Sequence, residues 1–154
     1  SGDVANKNIK SGWAGALGQS QFMPSSYIAY AQDCNNDGLK DIWNNKEDVF
    51  CSIANYLKKN GWNNKFTWGR RVSANKFLDY KNQNKNLLEW SQMGITKEDG
   101  NNLPKINLKS RLIFLDNNPN LSFLVYNNYN VLLRWNRSNY FAVSVGLLSN
   151  LLSK

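Results

Sequence analysis

Gly12-Trp13-Ala14-Gly15-Ala16-Leu17-Gly18-Gln19-Ser20-Gln21-Phe22-Met23-Pro24-Ser25-Ser26-Tyr27 is the stretch that decides how this chain folds. Glycine at 15 and 18 permits positive φ or close backbone approach, which suits a packed loop and not a regular helix. Pro24 stands where it opens a short helix over 25–31, with Tyr27, Tyr30 and Ala31 on one face. Outward on the N-terminal side, residues 1–12 are polar and expected to be loose. On the other side comes an Asp/Asn/Gly-rich loop over 33–43. Phe50, Ile53, Ala54 and Leu57 then mark the apolar stripe of an amphipathic helix. Asn45 is its expected N-cap, with Asp48 three residues on, and Lys58, Lys59 and Gly61 close it.

Beyond Trp62 the pattern changes. Segments 66–72, 111–116 and 121–126 read as short strands between Asn-rich turns. A single helical piece is expected over 87–93, ending before Gly94. Helix returns over 128–135 and 138–152. In the last helix Phe141, Val145, Leu148 and Leu152 form a stripe that Val143, Leu147 and Leu151 widen, which predicts burial on two sides. The fold class is α+β, mainly α. Residues 1–61 and 121–154 belong to a helical core, and 62–120 to a small antiparallel β insertion.

Composition narrows the chemistry. At 154 residues the chain has a single-domain length, and 42% apolar with 13% aromatic content excludes a disordered chain. The most apolar stretch, 142–152, is too short to cross a bilayer. There is no histidine, so neither a Ser-His nor a Cys-His nucleophile is available, and three Glu and eight Asp are the main candidate acids. A net charge of +8 implies anionic company. Yet the basic residues are scattered and no nucleic-acid motif appears, so nucleic acid is not the expected partner. Cys34 and Cys51 lack the spacing of a zinc site or a redox pair. They are either a disulfide or two buried thiols.

The loop Asp33-Cys34-Asn35-Asn36-Asp37-Gly38-Leu39-Lys40-Asp41 places oxygen-bearing residues at positions 1, 3, 5 and 9, with glycine at 6. That matches the first part of a calcium-binding loop, with Leu39 contributing its carbonyl. Position 12 is Asn44 and not a bidentate Glu, so Glu47 or Asp48 would have to complete the sphere. The alternative is an Asn/Asp turn whose oxygens are satisfied by its own backbone.

Three further strings join the first: Asp41-Ile42-Trp43-Asn44, Ser52-Ile53-Ala54-Asn55-Tyr56, and Arg134-Trp135-Asn136-Arg137-Ser138-Asn139-Tyr140-Phe141-Ala142, the last preceded by Phe123-Leu124-Val125-Tyr126. Together they closely resemble the lytic murein transglycosylase B family over most of the chain. The resemblance implies a lysozyme-like core that binds peptidoglycan glycan strands in the periplasm. It also implies cleavage of the bond between N-acetylmuramic acid and N-acetylglucosamine to leave a 1,6-anhydro end. One Glu would protonate the leaving oxygen and then act as base while the 6-hydroxyl closes onto C1. No cofactor is required, though a structural calcium ion gains support. The family's catalytic Glu lies upstream of the first string, and Glu47, Glu89 and Glu98 match no catalytic position. The chain is therefore expected to be a C-terminal portion lacking the acid, or alternatively a non-catalytic murein-binding module.

Candidate glycan contacts are Gln21, Phe22, Met23, Tyr129, Asn136 and Tyr140. Gln21 could instead bond its local backbone, and Phe22 and Met23 could form a sugar platform or core. Asn136 is a sugar contact or a helix cap, and Tyr129 and Tyr140 groove wall or core. Ser138 is expected as an N-cap. The candidate metal ligands are Asp33, Asn35, Asp37, Leu39, Asp41 and Asp48.

Overall fold

The structure is a computed structural model that describes residue 12 and residues 14–153. Trp13 and the polar stretch 1–11 lie outside the described residues. The chain divides into two compact units, 1–61 and 62–154.

The first unit is built on two helices, α1 (Pro24–Tyr30) and α2 (Lys46–Lys59). Pro24 opens α1, where its missing N–H costs nothing. Asn45 caps α2, its side chain accepting from the backbone N–H groups of Glu47 and Asp48. Before α1 the chain doubles back in a tight antiparallel bridge between Leu17 and Phe22. Gly18, at φ 60°, makes the approach to the next segment feasible: a Cβ there would lie 2.4 Å from the Ile42 carbonyl oxygen. The face of α2 that is buried is not the stripe expected from hydropathy. Asp48, Val49, Ser52 and Tyr56 point inward, whereas Phe50 is 68% exposed. Periodic hydrophobicity misreads this helix because two inward positions are polar and bonded. Ser52 Oγ accepts from the Gln32 backbone N–H, and Asp48 is held as described below.

The second unit is a five-stranded antiparallel sheet with three helices. In chain order it comprises β1 (Gly69–Ser73), β2 (Asn84–Asn86), α3 (Leu87–Gln92), β3 (Thr96–Lys97), β4 (Lys109–Phe114), β5 (Ser122–Val125), α4 (Asn127–Trp135) and α5 (Asn139–Leu152). The strand order is β2-β4-β5-β1-β3. β5 is central, pairing Leu124 with both Arg70 of β1 and Leu112 of β4, and all four of its residues are buried. The strand expected over 121–126 is thus present as β5, at the centre of the sheet. A core of Val72, Leu87, Trp90, Ile95, Leu112, Phe114 and Leu124 lies under it.

α5 carries the largest departure. Only Ala142, Val143 and Gly146 are buried, while Leu148, Leu151 and Leu152 are 57%, 65% and 79% exposed. The two-sided burial expected from its apolar width is therefore not found, because a single narrow strip meets the unit. Gly146 sits on that strip, where a Cβ would come within 2.2 Å of the Trp68 ring.

Candidate functional site

In the first unit, the Leu17–Phe22 turn presents its polar side chains in a defined way. Gln19 donates its backbone N–H to the Ile42 carbonyl and its side-chain amide to the Trp43 carbonyl. Gln21 is exposed, at φ 52°, and its amide nitrogen donates to the Gly18 carbonyl at 2.7 Å. The backbone bond weighed for Gln21 is made. Met23 is 49% exposed. Phe22 is only 2% exposed, its ring 5.9 Å from that of Tyr56, so the sugar-platform expectation is corrected to a core role.

The Asp/Asn loop is knitted by its own backbone. Asp33 accepts from the N–H groups of Asp37 and Gly38, Asn35 from that of Asp37, and Asp37 from that of Leu39. Asp41 accepts from the N–H groups of Trp43 and Asn44 and from the Asn44 side chain. Burial alone would raise the Asp41 carboxyl, but these bonds outweigh it and hold it below its usual range. Asp48 is fully buried and accepts from the backbone N–H groups of Cys34 and Asp41, both at 2.8 Å. Of the candidate metal ligands, Asp41 and Asp48 therefore accept backbone hydrogen bonds, as Asp33, Asn35 and Asp37 do. Among the described residues no three Asp, Glu, His or Cys side chains converge on a metal position. Cys34 and Cys51 form a disulfide that ties the loop to α2, which decides the alternative left open by their spacing.

In the second unit, the turn between α4 and α5 is capped twice. Asn136 Oδ1 accepts from the Ser138 N–H, and Ser138 Oγ accepts from the Phe141 N–H. Asn136 is exposed, and the helix-cap role weighed for it is made. Tyr140, 48% exposed, donates its hydroxyl to Asp116. Tyr129 is fully buried beneath Arg111, its hydroxyl donating to Asn139 at 2.7 Å. Tyr129 is therefore a core residue that holds the start of α5, and the expectation of a glycan contact there is corrected. Sequence reasoning missed Asp116 because no motif marks it. Its turn of Asp and Asn residues was the only signal.

The model for the Transglycosylase SLT domain matches residues 1–150. The chain belongs to that family. Membrane-bound lytic murein transglycosylase B of Escherichia coli (strain K12) is 49% identical over 55 residues, which is 36% of this chain and 15% of that protein. SltB3 of Pseudomonas aeruginosa, solved in complex with NAG-NAM-pentapeptide, aligns at a TM-score of 0.88 and 34% identity, covering 99% of this chain and 42% of that one. Slt35 of Escherichia coli, solved in complex with calcium, aligns at 0.75 and 27% identity over 95% of this chain and 46% of that one. The chain thus spans less than half the length of these relatives. Its fold is the lysozyme-like transglycosylase fold, with the small antiparallel sheet expected from sequence.

Of the three Glu of this SLT domain, Glu89 and Glu98 have engaged carboxylates. Glu47 lies in the first turn of α2, favourable to the helix dipole. Glu89 accepts from the Asn86 N–H in a capping box, and Glu98 pairs with Arg71 at 3.0 Å.

Proposed function

We propose that this SLT domain is the C-terminal part of a peptidoglycan lytic transglycosylase, acting on the MurNAc-GlcNAc bond with its acid contributed by sequence outside residues 1–154. The observation that carries the reading is the likeness over 99% of the chain to SltB3, a protein solved with a NAG-NAM-pentapeptide bound. The engagement of Glu89 in capping and of Glu98 in pairing supports placing the acid elsewhere. In the reaction a protonated carboxyl gives its proton to the glycosidic oxygen as the C1–O bond breaks. The same carboxylate then takes the proton of the 6-hydroxyl, whose oxygen closes on C1 to give the 1,6-anhydro ring. This chain contributes binding: Gln21 and Asn136 offer exposed amides to sugar hydroxyl and acetamido groups, and Met23 an apolar contact. The disulfide fits an oxidising envelope compartment such as the periplasm. Among the described residues no helix is long and apolar enough to cross a membrane. Asp33, Asn35, Asp37 and the Leu39 carbonyl would hold calcium only weakly, in a purely structural role.

The test is incubation with purified sacculi. The 154-residue chain is expected to co-sediment with them and release no 1,6-anhydromuropeptides. A longer version reaching upstream through a Glu-containing segment should release them, and Asn136→Ala in that version should slow release. Anhydro products from the short chain, abolished by changing Glu47, Glu89 or Glu98, would overturn the placement of the acid. Absence of release from every longer version that still binds sacculi would favour a non-catalytic murein-binding module.

A further inference from the structure

Asp116 and Asn117 both adopt left-handed backbone conformations, φ 49° and 56°, in the short turn Leu115–Asn117 between β4 and β5. Asp and Asn tolerate this region better than other side chains, but two in succession persist only where surroundings impose them. Here the Asn118 N–H donates to the Leu115 carbonyl at 2.8 Å and the Leu115 N–H to the Leu121 carbonyl at 3.0 Å. Lys81 Nζ donates to Asn117 Oδ1. The result is a carboxylate, exposed to solvent, that receives the hydroxyl of Tyr140 from the first turn of α5.

A phenol has one hydrogen. Once it is given to Asp116, the oxygen can meet a third group only as an acceptor. The hydrogen bond to Asp116, aided by slight desolvation and by the carboxylate's charge, raises the Tyr140 phenol above its usual value, so the proton stays in place. A ligand group reaching this oxygen must therefore be a donor. Sugar hydroxyls and acetamido N–H groups qualify, and the half-exposed ring offers an apolar face beside them. A carboxylate or phosphate would be repelled by Asp116.

We propose that Asp116 is a positioning residue that fixes the Tyr140 hydroxyl as an acceptor-only contact for a hydroxyl or acetamido N–H of a bound glycan. The inference rests on the glycan-binding reading above and adds a residue that the motif strings do not contain. It is tested by calorimetric titration of the whole chain with chitotetraose as the probe. Tyr140→Phe and Asp116→Ala should each weaken binding about three- to tenfold, the effect of losing one oriented hydrogen bond. The double variant should be no weaker than either single one, because both changes remove the same contact. Asp116→Asn, whose amide oxygen still accepts from the phenol, should bind within about twofold of the parent. A structural role for Asp116 would instead lower affinity in Tyr140→Phe by a further, additive step. Additive losses, an unaffected Asp116→Ala or an Asp116→Asn as weak as Asp116→Ala would each overturn the proposal. If the parent chain itself fails to bind the oligomer, the glycan reading fails and this inference with it. Binding by the parent with no loss in any variant rejects the inference alone.

Discussion

Tyr129 shows how one buried hydroxyl couples helix placement to pH. Its ring lies fully buried under Arg111 and its hydroxyl donates to Asn139, the first residue of α5. Tyr129→Phe removes that bond and is expected to cost about 1 kcal/mol, read as a fall in Tm of roughly 2–4 °C. Burial, partly offset by Arg111, pushes the phenol from its ordinary 10.0 up to about 12. The folded chain thus holds its proton more tightly than the unfolded chain does. The stabilisation is fully present below pH 10 and is lost as pH rises through about 12. Unfolding measured through that window should show a steeper alkaline decline for the parent than for Tyr129→Phe. Parallel profiles would mean that the phenol does not govern alkaline unfolding.

At the scale of elements, the loop over 33–43 and α2 are joined by Asp48 and by the Cys34–Cys51 disulfide. Asp48 stands within α2, yet its carboxylate serves the loop. Asp48→Asn turns an N–H toward a backbone N–H in a site without solvent, and about 2–3 kcal/mol should be lost in denaturant unfolding. Calcium in the millimolar range is expected to raise Tm by no more than a degree or two, and Asp37→Ala to abolish that rise. An unchanged midpoint for Asp48→Asn together with a large calcium-dependent shift would reverse this division of labour. The spacing of Asp33, Asn35 and Asp37 was legible in sequence as a tight oxygen-rich turn. What hydropathy could not show was that Asp48 and Ser52 face inward, since a polar residue reads as solvent-exposed unless its partners are known.

On the scale of the whole molecule, a net charge of +8 suits the anionic polymer of the proposed function. Such binding is screened by salt, because the Debye length falls from roughly 14 Å at about 50 mM to roughly 4 Å at about 0.5 M. Co-sedimentation with sacculi should weaken severalfold over that range, whereas chitotetraose, which is uncharged, should bind with little change. Equal salt dependence for both ligands would show that charge does not steer the polymer to this chain.

The sequence by itself determined the local elements and the family. Pro24 and Asn45 start their helices by backbone chemistry alone, Gly18 allows its turn by lacking a Cβ, and Ser138 caps α5. These are decisions made within a few residues, so they are visible in a string. Only the tertiary structure decided which faces are covered. It put β5 at the centre of the sheet and left the leucines of α5 exposed, and it sent Phe22 and Tyr129 into the core. It also brought Asp116 from a β-turn to Tyr140, 24 positions away, on a helix. Contacts between residues far apart in sequence leave no period or motif behind, because each depends on where the intervening chain has gone.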